Sequence, residues 1–286
     1  MLVKVIALNA LVFLLINLFW VIMSLAGLDD GHSGSFVITR WLSAPAAPLQ
    51  LLLKPWSVIT YMFTHQDIWH LVFNMLMLYF SGRIFCDMLN DRRFLPLYLA
   101  GGLAGLAFFV IGYNIFPKLY PISELAYIHG ASASVMAIFI ATATYFPTYE
   151  VYLFGLIRIK LVWLAVIYVA VDFVALRGVS NIGGHLSHLG GAAFGFLFAS
   201  QLKKGNDLGD FFTRLLDSIG SLFKSKPKIK VVHRDRDFGP GIGAKSAASK
   251  SDQQKIIDEI LDKINRTGYE SLSKAEKEIL LKASKD

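Results

Sequence analysis

Six stretches of this chain are each long and apolar enough to cross a bilayer, and nothing else in it limits the fold as strongly. A bilayer core takes about 20 apolar residues per helix. The stretches are roughly 5–27, 68–88, 94–113, 130–146, 159–176 and 184–202. The first follows Met1–Lys4 directly and runs to about Ala26, too long for the apolar region of a signal peptide, and no small-residue cleavage site follows it. It reads as a retained first span. The expectation is an all-α, multi-pass membrane protein with six helices.

Charge divides the chain in two. The first 200 residues carry ten Lys/Arg and eight Asp/Glu, and the last 86 carry eighteen and thirteen. Charged residues make up 17% of the whole, against about 25% in an average soluble domain. Most of the formal charge of +7 therefore lies in a short soluble tail, where attraction to an anionic lipid face explains it. No folded basic module is evident, which argues against a nucleic-acid partner. Cys86 is the sole cysteine, so an intrachain disulfide is excluded.

Lys and Arg in short loops set orientation. Arg83, Arg92 and Arg93 lie between spans two and three, Arg158 and Lys160 between four and five, and Lys203 and Lys204 after span six. Both termini are accordingly expected in the cytoplasm, with a long first loop, about 28–67, outside. That loop holds Trp41, Trp56 and the Leu49–Leu53 run and suits the membrane interface. The expected organisation is a six-span membrane domain over 1–203, an amphipathic helix and flexible linker over 204–251, and a small helical hairpin over 252–286.

Spans two, four and six carry polar residues near their outer ends. Span two has His70 and Asn74, span four opens on His129-Gly130-Ala131-Ser132, and span six has His185, Ser187 and His188. At 1.5 Å per residue these lie at one level, about 5–10 Å below the outer surface. Polar groups at that depth usually face a wet cavity. His70 and Asn74 are four apart and share a helix face. Ala133, Ala137 and Ala141 form a small-residue stripe on span four; Ser187, Gly191, Gly195 and Ala199 form another on span six. Such stripes let two helices approach closely in lipid. Packed along them, Ser132 and His188 come within reach of each other. A serine hydroxyl becomes a nucleophile when a base takes its proton, and neutral His is the usual base.

Three motifs resemble the rhomboid family of intramembrane serine proteases, over about residues 56–200. His65, His70 and Asn74 match an H-x4-H-x3-N pattern, Gly130-Ala131-Ser132 a G-x-S nucleophile, and His188-Leu189-Gly190-Gly191 with Gly195 a base motif. The resemblance implies a six-transmembrane-helix rhomboid-like bundle around a cavity open to the outer side. It implies a Ser132–His188 dyad without a third, acidic member. It implies an oxyanion hole of the Ser132 N–H with the His70 and Asn74 side chains. It implies single-span membrane proteins as substrates, cut in or near the transmembrane segment, and a bacterial inner (plasma) membrane. Three positions depart from the commonest pattern: Ala133 stands where Gly is usual, Met136 where Tyr packs on the histidine, and Ser187 where Ala precedes it.

Four further residues are candidates for supporting the site. Met136 can pack against an imidazole edge. His65 either supports the site or lines the first loop. His185 either supports His188 or sits exposed at the mouth of the span, the second being favoured. Asp172 either reaches the cavity or sits at the interface, again the second being favoured. His185 and His188 show no carboxylate or Cys partner in sequence, so no metal is expected, and no cofactor. A catalytically inactive relative that binds membrane-protein clients is the alternative to a protease; such relatives usually lose the Ser or His, and both are present. A transporter would be expected to show internal repeats or broken helices.

In the tail, residues 210–223 place Phe211, Phe212, Leu215, Leu216, Ile219 and Phe223 on one face of a surface-lying helix. Residues 224–251 read as a linker. Ile256, Ile257, Ile260, Leu261 and Ile264 form a helical stripe, Thr267-Gly268 a break, and Ser273 to Glu276 a capping box. A passive tail and one that binds a cytoplasmic partner are both left open.

Overall fold

The computed structural model describes residues 1–28, 34–153, 155–178, 181–223 and 248–283. They fall into two units, divided between residues 225 and 226.

The first unit is a helical membrane bundle. Helix α1 (Leu2–Leu25) leads into a first loop that holds α2 (Gly34–Leu42), α3 (Pro48–Leu53) and α4 (Ser57–Thr60). Then come α5 (Ile68–Leu89), α6 (Asp91–Ile115), α7 (Ser132–Tyr145), α8 (Leu161–Ala175) and α9 (Ile182–Lys203). Helix α10 (Asp210–Phe223) follows. All six expected spans are therefore helices. By length and apolarity α1, α5 and α6 meet the requirement for crossing a bilayer. Helix α9 has the length, and its glycines and histidines dilute its apolarity. Helices α7 and α8 have 14 and 15 residues. At 1.5 Å per residue α7 is about 21 Å long, short of a hydrocarbon core about 30 Å thick.

That shortness is the main correction to the sequence reading of the fourth span. The helix starts at Ser132, not at residue 130, so the serine is the first residue of the helix and not the third. The chain reaches it as an extended segment. Strand β1 (Ala44–Pro45) in the first loop pairs antiparallel with β2 (Tyr127–Ile128), Ala44 opposite Ile128. The Ala46 N–H donates to the Ala126 carbonyl at 2.9 Å, and Asn114 of α6 donates to the Ala46 carbonyl at 2.8 Å. The Tyr61 hydroxyl donates to the Gly102 carbonyl and the Tyr98 hydroxyl to the Met62 carbonyl, at 2.5 and 2.9 Å. The first loop is thus bonded to α6 and to the segment entering α7. Its Leu49, Leu52 and Leu53 stay exposed, as an interfacial loop requires.

Helix α7 is the centre of the bundle. Every residue from Ala133 to Ala143 is buried, and a helix apolar all round belongs inside. Both small-residue stripes are used. A methyl group added at Gly191 would collide with the Ala133 carbonyl, and one at Gly195 with the Ala137 carbonyl. The α7 and α9 backbones therefore touch, and only glycine permits it. At the far end, the Lys203 ammonium donates to the Thr144 carbonyl at 2.8 Å, placing a cation at the C-terminus of α7. Between α7 and α8 a small hairpin forms, β3 (Glu150–Leu153) with β4 (Ile157–Lys160), so α8 begins at Leu161 rather than at about 159.

Arg93 meets Asp207 at 2.6 Å and Arg92 meets Asp217 of α10 at 2.7 Å. Phe211 and Leu215 of α10 are exposed. The side chains of Ile219 and Phe223 lie outside the described residues, as do positions 224–247 of the expected linker. The second unit holds α11 (Ala248–Thr267) and α12 (Lys274–Ala283). The last four residues of the expected linker thus belong to a helix. Ile260 and Leu272 are its buried apolar residues, and the capping box is present: Glu276 accepts from the Ser273 N–H at 2.7 Å, and the Glu276 N–H donates to the Ser273 hydroxyl at 3.3 Å. Gly268, at φ +84°, makes the break between them.

Candidate active site

Ser132 is placed by the turn in front of it. The Gly130 N–H donates to the Tyr61 carbonyl at 2.8 Å, and the Ala131 N–H donates to His65 Nε2 at 3.4 Å. Gly130 sits at φ +117°, a conformation that L side chains rarely adopt, and a methyl there would lie 2.7 Å from the His70 ring. The glycine of the G-x-S motif thus has two physical reasons. Ser132, at the first position of α7, carries a backbone N–H with no partner inside the helix and sits at the positive end of the helix dipole.

His65 is fully buried and holds the turn rather than lining the loop. Burial, with a smaller effect of neighbouring His70, pushes its imidazole down to about 3. It is therefore neutral near pH 7 and free to accept the Ala131 N–H. Burial pushes His129 down to about 4. His70 lies between them, its ring 5.1 Å from that of His65 and 6.0 Å from that of His129. Its backbone N–H donates to the Asp67 carboxylate at 2.8 Å, which caps α5. One turn on, the buried Asn74 amide donates one hydrogen to the His70 carbonyl at 2.8 Å and keeps a second.

Ser132, His188, His70 and Asn74 all line one cavity of about 660 Å³, with His129 and Tyr168 also in its wall. A larger groove of about 770 Å³ runs among α7, α8 and α9, but its lining is apolar apart from Thr144 and offers no base. The polar side chains gather in the other cavity.

The surroundings of His188 differ from the sequence reading. Asp172 of α8 is buried, not interfacial. His188 Nδ1 lies 3.0 and 3.2 Å from its two carboxylate oxygens, and His185 Nδ1 lies 2.7 Å from one of them. His185 is accordingly bonded to the carboxylate rather than exposed at the mouth. The two histidines also have the carboxylate neighbour that sequence did not reveal: ligand atoms of all three lie within 4.8 Å of one another, and the hydrogen bonds account for the grouping. Met136 is fully buried in a cluster with Phe139, Leu161, Ala165 and Ala192. The aromatic ring beside His188 is Tyr168, edge-on at 6.4 Å. Sequence reasoning missed Tyr168. The available signal was its spacing: Tyr168 and Asp172 are four apart on one face of α8.

The Rhomboid domain pattern matches residues 53–204, more than half of the chain. The chain belongs to the rhomboid family. Residues 242–286 of this rhomboid match a second family, one of unknown function (DUF6576). Among curated proteins it is similar to RHOMBOID-like protein 12, mitochondrial, of Arabidopsis thaliana, 32% identical over 158 residues, 52% of this chain and 47% of that one. It is similar to Rhomboid protein 1, mitochondrial, of Saccharomyces cerevisiae, 29% identical over 150 residues, 52% and 42%. It is also similar to Presenilin-associated rhomboid-like protein A, mitochondrial, of Danio rerio, 25% identical over 211 residues, 72% and 48%. The chain spans about half the length of these relatives. All three are mitochondrial, which overturns the expected bacterial type and bacterial inner-membrane location.

Proposed function

We propose that this rhomboid is an intramembrane serine endopeptidase that cuts single-span membrane proteins in or near their transmembrane segment. The observation that carries the reading is the composition of one cavity wall: a serine at a helix N-terminus, a histidine, and two further side chains able to donate hydrogen bonds. His188 takes the proton of the Ser132 hydroxyl as its oxygen attacks the substrate carbonyl carbon. The negative charge that forms on the carbonyl oxygen is met by the Ser132 N–H, His70 and Asn74. The tetrahedral species collapses, the peptide C–N bond breaks, and His188 returns the proton to the leaving amine. Water, deprotonated by the same histidine, then opens the acyl-enzyme. A substrate helix must unwind locally to expose its carbonyl in such a cavity, so helix-breaking residues near the scissile bond favour cleavage. The mitochondrial relatives point to a mitochondrial membrane as the setting.

A serine-directed fluorophosphonate, with cleavage of a single-span reporter in liposomes, tests this. The wild type is expected to be labelled and to cut; Ser132→Ala is expected to do neither. Absence of labelling in intact, folded wild-type protein would overturn the reading in favour of a client-binding protein without catalysis.

A further inference from the structure

Helix α8 faces outward along most of its length: Trp163, Val166, Ile167, Val171, Phe173 and Val174 are all exposed. Its one charged residue, Asp172, is nevertheless 3% exposed and turned to the bundle interior. A carboxylate so placed is expensive unless it is hydrogen-bonded or paired, and it typically marks function. Here both donors are imidazoles, His185 at 2.7 Å and His188 at 3.0 Å, and both use Nδ1. We propose that Asp172 is a positioning residue for His188, with His185 as its second donor, so that the site works as a dyad extended by an acid. The inference rests on the proteolytic reading above and deepens it.

The argument follows from which nitrogen faces the carboxylate. A neutral imidazole carries one N–H and one lone pair. An acid at Nδ1 holds the proton there and leaves the lone pair on Nε2. Nε2 is then the atom that can take the Ser132 proton, as a buried aspartate arranges in Ser-His-Asp enzymes. When it does, the imidazolium has a carboxylate at hydrogen-bond distance and its charge is stabilised in place. The carboxylate is not itself protonated in this scheme, and the proton taken from Ser132 leaves with the amine. His185 has a separate task. Its bond to the oxygen that His188 also uses stops the carboxylate from rotating away, and both histidines, three residues apart on α9, reach it from one helix face. Tyr168, one turn earlier on α8, closes the ring of His188 from the side.

Asp172→Asn in the full chain is the test. It is expected to lower kcat by roughly 10²–10⁴-fold, the loss seen when the acid of such a group is removed. KM is expected to stay within about twofold, because Asp172 does not touch substrate. Asp172→Glu should restore part of the rate, and His185→Gln, which leaves the Asp172–His188 bond in place, should cost less than Asp172→Asn. A second measurement does not need activity: the imidazole NMR spectrum of the wild type should show His188 protonated at Nδ1, with a low-field proton signal lost in Asp172→Asn. If kcat of Asp172→Asn stays within twofold of wild type, or its imidazole spectrum is unchanged, the proposal is overturned. A chelator that shifted that signal would mean a metal shared by the three side chains and would also overturn it. Failure of the proteolytic reading looks different: no fluorophosphonate labelling of the wild type at all, with the His188 tautomer as described.

Discussion

Helices α7 and α8 are close in length, 14 and 15 residues, and are held in the bundle in opposite ways. Helix α7 is buried on every side and meets α9 backbone to backbone through Ala133, Ala137, Gly191 and Gly195. Helix α8 buries only Leu161, Ala165 and Asp172. The first helix has no slack, and Ser132 at its tip inherits that rigidity. The second is held at the site end by a polar contact with two histidines. A reacting pair needs fixed geometry, since effective molarity depends on near-attack placement. The lesson is that Ser132 and His188 stand on one closely packed seam, while Asp172 and Tyr168 reach His188 from a helix that buries far less of itself.

The largest effect is expected where the seam is forced apart. Gly191→Leu puts a side chain into the Ala133 carbonyl, which cannot move without moving α7. The cost should reach about 3 kcal/mol, the upper end for overpacking. Thermal unfolding in detergent should show it as a lowered midpoint, with fluorophosphonate labelling lost. A variant that melts and labels like wild type would mean that the seam is not rigid. The next effect is expected from Gly130→Ala. Holding alanine at φ +117° costs about 1–3 kcal/mol, and the added methyl displaces His70. If His70 is an oxyanion donor, kcat should fall roughly 10²–10³-fold with the protein still folded. An unchanged kcat would separate His70 from the reaction.

Acid provides a graded way to loosen the same turn. In the folded chain His65 titrates at about 3, against 6.5 unperturbed. Between those values the unfolded chain binds more protons, so stability rises with pH across the window. The contribution is complete above about 6.5 and is lost as pH falls toward 3. His129, held at about 4, acts with the same sign. His65→Gln should therefore flatten, though not abolish, the fall in melting temperature on acidification. Identical pH slopes in variant and wild type would show that His65 does not hold the turn as a neutral acceptor.

The seam was readable because its signals are local and periodic. Ala133, Ala137, Gly191 and Gly195 recur every four residues, and His65, His70, Asn74, Ser132 and His188 stand in a recognisable order. The start of α7 was not readable, because hydropathy reports apolar length and is blind to where a helix begins. The pairing of β1 with β2 involves two residues on each side and leaves no pattern. Asp172 was visible but assigned to the interface, since one acid near the end of an apolar run has that explanation by default. Its partner was hidden because a contact between α8 and α9 depends on how the helices are rotated. Only the i,i+4 pairing of Tyr168 with Asp172 hinted at the face turned inward.

The smallest effect is expected at Tyr168 itself, and it tests the contrast between the two helices most directly. Its ring is edge-on to His188, an arrangement worth about 0.5–1.5 kcal/mol beyond burial. Through that edge contact it acts only by restricting the imidazole. Tyr168→Leu keeps the apolar volume near Phe139, whose ring Tyr168 also meets at 6.1 Å, and removes the edge contact. The loss in kcat should then stay below about tenfold, since 1.36 kcal/mol corresponds to one factor of ten. Melting should change little, because α8 contributes little burial. A loss of a hundredfold or more would show that Tyr168 does what the seam does, fixing His188 rather than trimming it. On α8 the fixing of His188 would then be shared between Asp172 and Tyr168 rather than resting on the carboxylate alone.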